Sequence, residues 1–334
     1  MSKSAIYTIA VNGTALSLSS ILTGLTVILN TAGQADAAEL TLDDSGGAVV
    51  MPQPGASISV SLGWRGEGNR EVFVGTVTEV RATGSRSSGR ALSISAQGFD
   101  ALAGGKDQQR RSWDDATVKT ILQDAGQTAG IMSVEVDPTL APVIVDYWLM
   151  LDESFIAMGR RLAAEVGGQF RMRGDTAVMA KRAGAYTPTV LAAVGSTLHS
   201  WDIAPILSRD RCGKVKAKWF DKAASEWRIV EVNTGVKSDA VMTIREASAT
   251  EAEARRRAEA RAAAIKEATG GGSVRIEGDT GAVPDGLCAV VGARPGIDGS
   301  YRIRTVTHSY TRSGGFTTDL ELVQPQSGAG EDSR

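Results

Sequence analysis

Between residues 5 and 100, apolar and polar positions alternate with a period of two, the spacing of strands that bury one face. In "SISVSLGW", Ile58, Val60 and Leu62 point one way and Ser57, Ser59 and Ser61 the other. "EVFVGTVTEVRA" continues the pattern, with Val72, Val74, Thr76, Thr78 and Val80 assigned to one face. "RALSISAQG" does the same with Leu92, Ile94 and Ala96. "IYTIAVNGTALSL" reads as two strands around Asn12-Gly13, a pair that tolerates the positive φ of a tight hairpin. Many short strands with Gly-, Ser- and Pro-rich joins predict a barrel or sandwich.

The period then changes. "GGKDQQRRS" (Gly104 to Ser112) reads as a linker. In "WDDATVKTILQDAGQTAG", Val118, Ile121, Leu122, Ala125 and Ala129 form one helical stripe. Asp114 is the expected cap, Trp113 and Val118 the expected hydrophobic staple, and Gly130 the residue past the end. "IMSVEV" reads as a strand. A second helix follows in "LDESFIAMGRRLAAEVGG", capped by Asp152 and ended by Gly167. Its inward stripe is Phe155, Met158, Gly159, Leu162, Ala163 and Val166. "GQFRMRGDTAVMAKR" is a hairpin turning at Gly174-Asp175. From about residue 195 the period returns to two. "KVKAKWFDKAASEWRIVEV" and "DGSYRIRTVTHSYTRSGGFTTDLELV" read as hairpins, the latter turning at Ser313-Gly314-Gly315. The expected division is a β domain over 1–103, a small α/β domain over 104–190, a second β domain over 191–325 with a flanking helix at 249–268, and a flexible tail at 326–334.

That flanking helix, "TEAEARRRAEARAAAIKEA" from Thr250 to Ala268, is the most charged stretch. Its five basic residues face four acidic ones, a net of +1. Glu251–Arg255 and Glu253–Arg257 have the favourable i,i+4 orientation. Ser248 and Glu251 form the expected capping box, and Gly270 to Gly272 the expected stop. Ala254, Ala258 and Ala262 are too small for a coiled-coil seam and suit close approach to a flat sheet. A solvated brace is therefore the first reading and a subunit contact the second. Nucleic-acid binding is a distant third, because the glutamates oppose phosphate.

A chain of 334 residues accommodates two or three domains. A net charge of −2 argues against a protein whose main task is coating DNA or an anionic membrane. Two cysteines far apart imply no disulfide framework. The N-terminus lacks a signal-peptide apolar core and no apolar run is long enough for a membrane span, so synthesis and residence in a reducing cytoplasm are expected.

Candidate chemistry is sparse. His199, His308, Cys212 and Cys288 lack the short spacings of a zinc site, so structural histidines and inert cysteines are expected. Gly66-x-Gly68 lies between strands, with Glu71 where a third glycine belongs, and no phosphate loop or nucleophile elbow is present. Asp43-Asp44 and Asp114-Asp115 are carboxylate pairs that turn chemistry and helix capping explain. Arg173-Gly174-Asp175 is read as a hairpin turn. No catalytic, cofactor-binding or metal-ligating residue is assigned, and no cofactor is expected.

The order of segments resembles the phage late control D family, the baseplate hub proteins of contractile tails. "YTIAVNGTALS", "AAELTLDDSGG", "PGASISVSLGW" and "EVFVGTVTEVRAT" are similar to its first β domain, and "SWDDATVKTILQDAGQTAG" to the helix opening its middle domain. "DESFIAMGRRLAAEVGGQFRMRGDTAVM" is the most distinctive piece, and "GSYRIRTVTHSYTRSGGFTTDLEL" resembles the closing hairpin. The resemblance implies an α+β, mainly β fold: two tail-tube-like β-barrel domains with a small α/β domain between them. It also implies a homotrimer, a pseudo-hexameric ring that joins the tail tube or its initiator to a separate central spike protein. Tape measure protein and DNA would pass through, with neighbouring baseplate proteins around the ring. The expected location is the tail baseplate of the virion, assembled in the host cytoplasm. The family is also similar to the hub part of type VI secretion spikes, which keeps open a secretion hub, or a hub that also degrades peptidoglycan.

Overall fold

The computed structural model describes residues 3–31, 35–47, 49–86, 89–98, 107–173, 176–181, 189–205, 212–236, 238–325 and 329. The first third is all strand: β1 (Ala5–Val11), β2 (Thr14–Ala15), β3 (Leu22–Asn30), β4 (Ala37–Asp43), β5 (Ser57–Trp64), β6 (Gly68–Ser85) and β7 (Gly89–Gln97). Asn12 and Gly13 both take positive φ, +48° and +75°, and close the β1–β2 turn as their chemistry requires. Ile58, Val60, Leu62, Leu92, Ile94 and Ala96 all point into one core with Val27 and Leu40. Each fully buried aliphatic side chain there contributes about 1.5–3 kcal/mol.

Strand β6 departs from the sequence expectation. Its buried residues are Phe73, Gly75 and Val77, whereas Val74 is 50% exposed. Register shifts fall between Val60 and Ser61 opposite β6, and between Val77 and Glu79 opposite β7. Each bulge inserts one unpaired residue and reverses side-chain parity, which a strict period of two does not capture. Gly75 is required because a Cβ there would overlap the Gln97 carbonyl.

The middle unit contains β8 (Gln108–Thr117), α1 (Val118–Thr128), β9 (Ser133–Val136), β10 (Ile144–Ser154), α2 (Phe155–Val166), β11 (Gly168–Arg173) and β12 (Thr176–Lys181). The predicted linker is in fact strand from Gln108 onward, paired with β10, while Gly104 to Lys106 lie outside the described residues. Asp114 and Asp115 therefore sit in β8 and do not open a helix. Thr117 caps α1, its hydroxyl accepting from the Thr120 N–H, and Trp113 packs from the strand instead of forming a staple. Asp152 is likewise displaced as cap by Ser154, whose hydroxyl accepts from the Ala157 N–H. Asp152 instead takes φ +50° at the β10 register shift. The two predicted helical stripes are buried, and Phe155 and Phe170 meet edge to face at 5.5 Å. The turn at Gly174-Asp175 lies outside the described residues, but its flanking strands β11 and β12 pair as expected.

The last part holds β13 (Thr189–Ala193), β14 (Leu198–Ala204), β15 (Lys214–Asp221), β16 (Glu226–Asn233), β17 (Val241–Thr243), α3 (Glu251–Glu267), β18 (Gly271–Glu277), β19 (Leu287–Val291), β20 (Gly299–Thr311) and β21 (Gly315–Pro325). Strands β16-β15-β17 form a sheet of their own, and α3 packs mainly on it, touching the larger sheet at its C-terminal end through Glu267 and Arg304. Ala254, Ala258, Ala262 and Ile265 meet Val215, Ala217 and Val230, so the small-residue face does approach a flat sheet. The capping box is two residues later than expected. Thr250 accepts from the Glu253 N–H, and the Glu253 carboxylate accepts from the Ala249 N–H. Gly271 and Gly272 already belong to β18 and pass against Leu322 and Asp202 backbone, where a side chain would not fit.

A 13-stranded sheet joins the first and last parts in the order β14-β18-β21-β20-β3-β4-β7-β6-β5-β1-β2, with β13 and β19 attached beside β20. It curls about two separate cores, one per part, giving two barrel-like lobes. Most of the predicted tail at 326–334 lies outside the described residues.

Candidate functional site

Among the described residues the sequence candidates lie apart from one another. Asp43 accepts from the Ser45 N–H and hydroxyl, which hold its carboxyl below the usual range, and Asp44 accepts from the Val49 N–H. Both are turn builders. Asp114 lies opposite Tyr147 in the β8–β10 pair. Arg173 ends β11, while Gly174 and Asp175 lie outside the described residues. His199 is exposed at the β14 register shift. Cys288 is fully buried, and burial pushes its thiol up to about 12, so it stays protonated and inert. Among the described residues no cluster of His, Cys, Asp or Glu has metal-site geometry.

His308 is more informative. It is fully buried in β20, with Nδ1 3.0 Å from the Thr318 hydroxyl and its ring against Phe316. Thr318 already accepts from the Asp279 N–H at 2.9 Å. The hydroxyl oxygen keeps a second lone pair and its own proton, so it accepts from a protonated Nδ1 or donates to a bare one, according to the tautomer of the neutral ring. Among the described residues Nε2 has no hydrogen-bond partner. Burial pushes the imidazole down to about 4, so the ring is neutral. His308 is part of the wall of a cavity of about 500 Å³ where β6, β11 and the 280–284 loop meet.

The main feature is the joint between lobes. Strands β3 and β20 pair antiparallel from Thr305↔Asn30 to Thr311↔Gly24, which makes one sheet of two lobes. Tyr7 and Tyr310 meet at 5.0 Å, and Trp64 and Phe316 at 5.5 Å. The Trp64 indole N–H donates to the Gly278 carbonyl at 2.7 Å, and Arg312 donates to the Ser20 carbonyl at 2.7 Å. Lys3 bridges Glu67 of one lobe and Glu277 of the other. Backbone pairing, aromatic contacts and hydrogen bonds together fix the angle between lobes.

Away from the joint, the chain presents unfinished edges. Among the described residues the main path of the sheet ends at β14 and at β2, and β13 pairs with β19 alone. The β8–β10 pair has no further strand partner among the described residues. Its outer face carries Tyr147, Leu149 and Leu151, the first and last more than half exposed. Trp227 and Ile229 of β16 are 62% and 53% exposed, with Phe220 edge-on to Trp227 at 5.2 Å. Open edges beside exposed aromatics are hazards for an isolated chain. The pattern of the sequence did not single out the exposed apolar residues of β10 and β16. "IVDYWLML" carries apolar residues on both faces, and the fold buries Val145, Trp148 and Met150 while Tyr147, Leu149 and Leu151 stay outside the core.

The description phage tail baseplate hub (GPD) matches residues 37–314 of this chain. A probable baseplate hub protein of Escherichia phage 186 is 24% identical over 90% of this chain and 87% of its own length. Another, from Escherichia phage P2, is 28% identical over 47% of this chain, a match that spans 39% of that relative's length. Among solved structures, a tail protein from Neisseria meningitidis MC58 superposes with a TM-score of 0.73 at 15% identity, over 98% of both chains. An E. coli component of the type VI secretion system, described as structurally similar to bacteriophage T4 tail proteins gp27 and gp5, superposes at 0.57 and 11% identity, over 98% of this chain and 79% of that one. At these identities the structural likenesses establish the fold.

Proposed function

The chain belongs to the phage tail baseplate hub family, and from that premise we propose that three copies close into a ring in which six lobes surround a central channel. The observation that carries this is the β3–β20 joint, which holds two lobes of one chain at a fixed angle. A ring of three such pairs repeats a similar lobe-to-lobe contact between chains and has near-sixfold symmetry on one face with strict threefold symmetry on the other. The sixfold face suits the tail tube or its initiator, and the threefold face suits a separate central spike protein. The open edges at β14 and β2 would be covered by neighbouring copies, and the exposed aromatics of β10 and β16 by neighbouring baseplate proteins. The division into 1–103, 104–190 and 191–325 follows the same logic, with the middle unit outside the ring wall.

The channel would pass tape measure protein and then DNA, and a net charge of −2 is compatible with a lumen that does not retain DNA. The role is structural, with assembly in the host cytoplasm and residence in the virion baseplate. The likeness to a type VI component supports a second reading, a secretion hub, which the identity of the neighbouring genes separates from a tail hub.

Light scattering on the purified chain, alone and with its tube and spike proteins, tests the ring. The expected mass is about 105 kDa, three times the 34.9 kDa chain. A chain that stays monomeric with both partners present overturns the proposal. Clearing of a murein suspension by the purified chain would overturn the non-enzymatic reading.

A further inference from the structure

Between α2, α3 and residues 242–246 lies an open cleft of about 640 Å³. Arg161, Arg245, Arg257 and Arg261 line it, against Glu165 and Glu246. Two of the four arginines are neutralised: Arg161 by Glu153, and Arg257 by Glu165 and Glu253. The other two have no carboxylate partner among the described residues. The Arg261 Nε–H donates only to the Met242 thioether at 3.1 Å, a weak acceptor. Arg245 is exposed at the rim. The floor between them is apolar, formed by Ala260, Ala264 and Ile244.

We propose that this cleft docks a short acidic, partly apolar segment of a partner polypeptide, whose carboxylates pair with Arg245 and Arg261 while its apolar side chains lie on the alanine floor. Arginine presents a planar fork that matches a carboxylate, and clusters of unpaired arginines are a recurring means of recognising acidic motifs. A polypeptide fits better than a nucleic acid. Glu165 and Glu246 stand inside the cleft and would repel a continuous run of phosphates, whereas a peptide can place its charges only where the free guanidiniums are. The alanine face explains the composition of α3. Its buried side lets the helix sit close on β15 and β16, and Ala260 and Ala264, on the next stripe, keep the cleft open.

Fluorescence anisotropy with the full chain tests this, using a fluorescein-labelled ten-residue peptide of alternating glutamate and leucine. A single-stranded oligonucleotide of ten nucleotides serves as the competing probe. Saturable peptide binding in about 50 mM salt that weakens as salt rises is expected. Arg245→Glu with Arg261→Glu should weaken it at least tenfold, and the Arg245→Ala, Arg261→Ala pair at least fivefold. Arg255→Glu, which reverses a charge of the same helix outside the cleft, should leave it within twofold. Circular dichroism checks that each variant is folded, and both arginines are exposed enough to be replaced without loss of core. Absence of saturable binding, equal binding by the wild-type chain and the alanine pair, or tighter binding of the oligonucleotide would overturn the proposal.

Discussion

His308 makes the stability of this protein depend on pH between about 6.5 and about 4. In the unfolded chain the imidazole binds a proton below about 6.5, but in the fold it stays neutral down to about 4. The unfolded state therefore binds more protons between those values, and stability falls as pH falls through that range. Above 6.5 the contribution is fully present, and below 4 it is gone. The whole interval corresponds to about 3 kcal/mol, and the part lost between pH 7.5 and 5.0 to about 2 kcal/mol. Urea unfolding of the wild-type chain and of His308→Asn at both pH values measures it. The asparagine amide can donate to or accept from the Thr318 hydroxyl in place of Nδ1, so the variant removes the titration and keeps one hydrogen bond. Replacing the ring also leaves a gap beside Phe316, which lowers stability equally at both pH values. The decisive quantity is the difference of differences. Asp36, Glu71, Arg70 and Arg171, the charged groups around the cavity, are common to both proteins and cancel. Wild type should lose about 2 kcal/mol more than the variant between pH 7.5 and 5.0. Equal losses, within about 0.5 kcal/mol, would refute the buried neutral imidazole.

Other substitutions probe the packing. Gly159→Ala should destabilise by about 1–3 kcal/mol in a urea titration, because a Cβ there would come 2.6 Å from the Phe170 ring, which is already wedged against Phe155. Ala258→Leu should cost about as much, since Ala258 has no exposed surface between α3 and the β15–β16 pair. Trp227→Ala should leave the unfolding midpoint of the isolated chain nearly unchanged but reduce its incorporation into assembled baseplates, measured by co-sedimentation. Thiol labelling under native conditions should modify the half-buried Cys212 and spare Cys288 until the chain unfolds.

The apolar pattern alone determined much of this protein. Period-two alternation in "SISVSLGW" and "RALSISAQG" placed the core of the first lobe, and the stripes of α1 and α2 placed that of the middle unit. Those residues are buried whatever the neighbours are, because burial of a repeating apolar face dominates local energetics. The alanine face of α3 also forecast a flat partner, though not which sheet supplies it. Tertiary structure decided the rest. Two bulges in β6 reversed the faces of Phe73 and Val74, and a bulge adds a residue without changing composition. Pairing with β10 turned the polar stretch before α1 into strand, since a long-range partner satisfies its backbone where local propensity does not. The caps moved by two or three residues for the same reason, since the strand or turn before each helix sets where the first free N–H groups begin. The β3–β20 joint links residues nearly 300 positions apart, and the neutral state of His308 comes from its complete burial within the folded sheet. Neither relation has a local signature, because each is made by strands that meet only once the chain has folded back on itself.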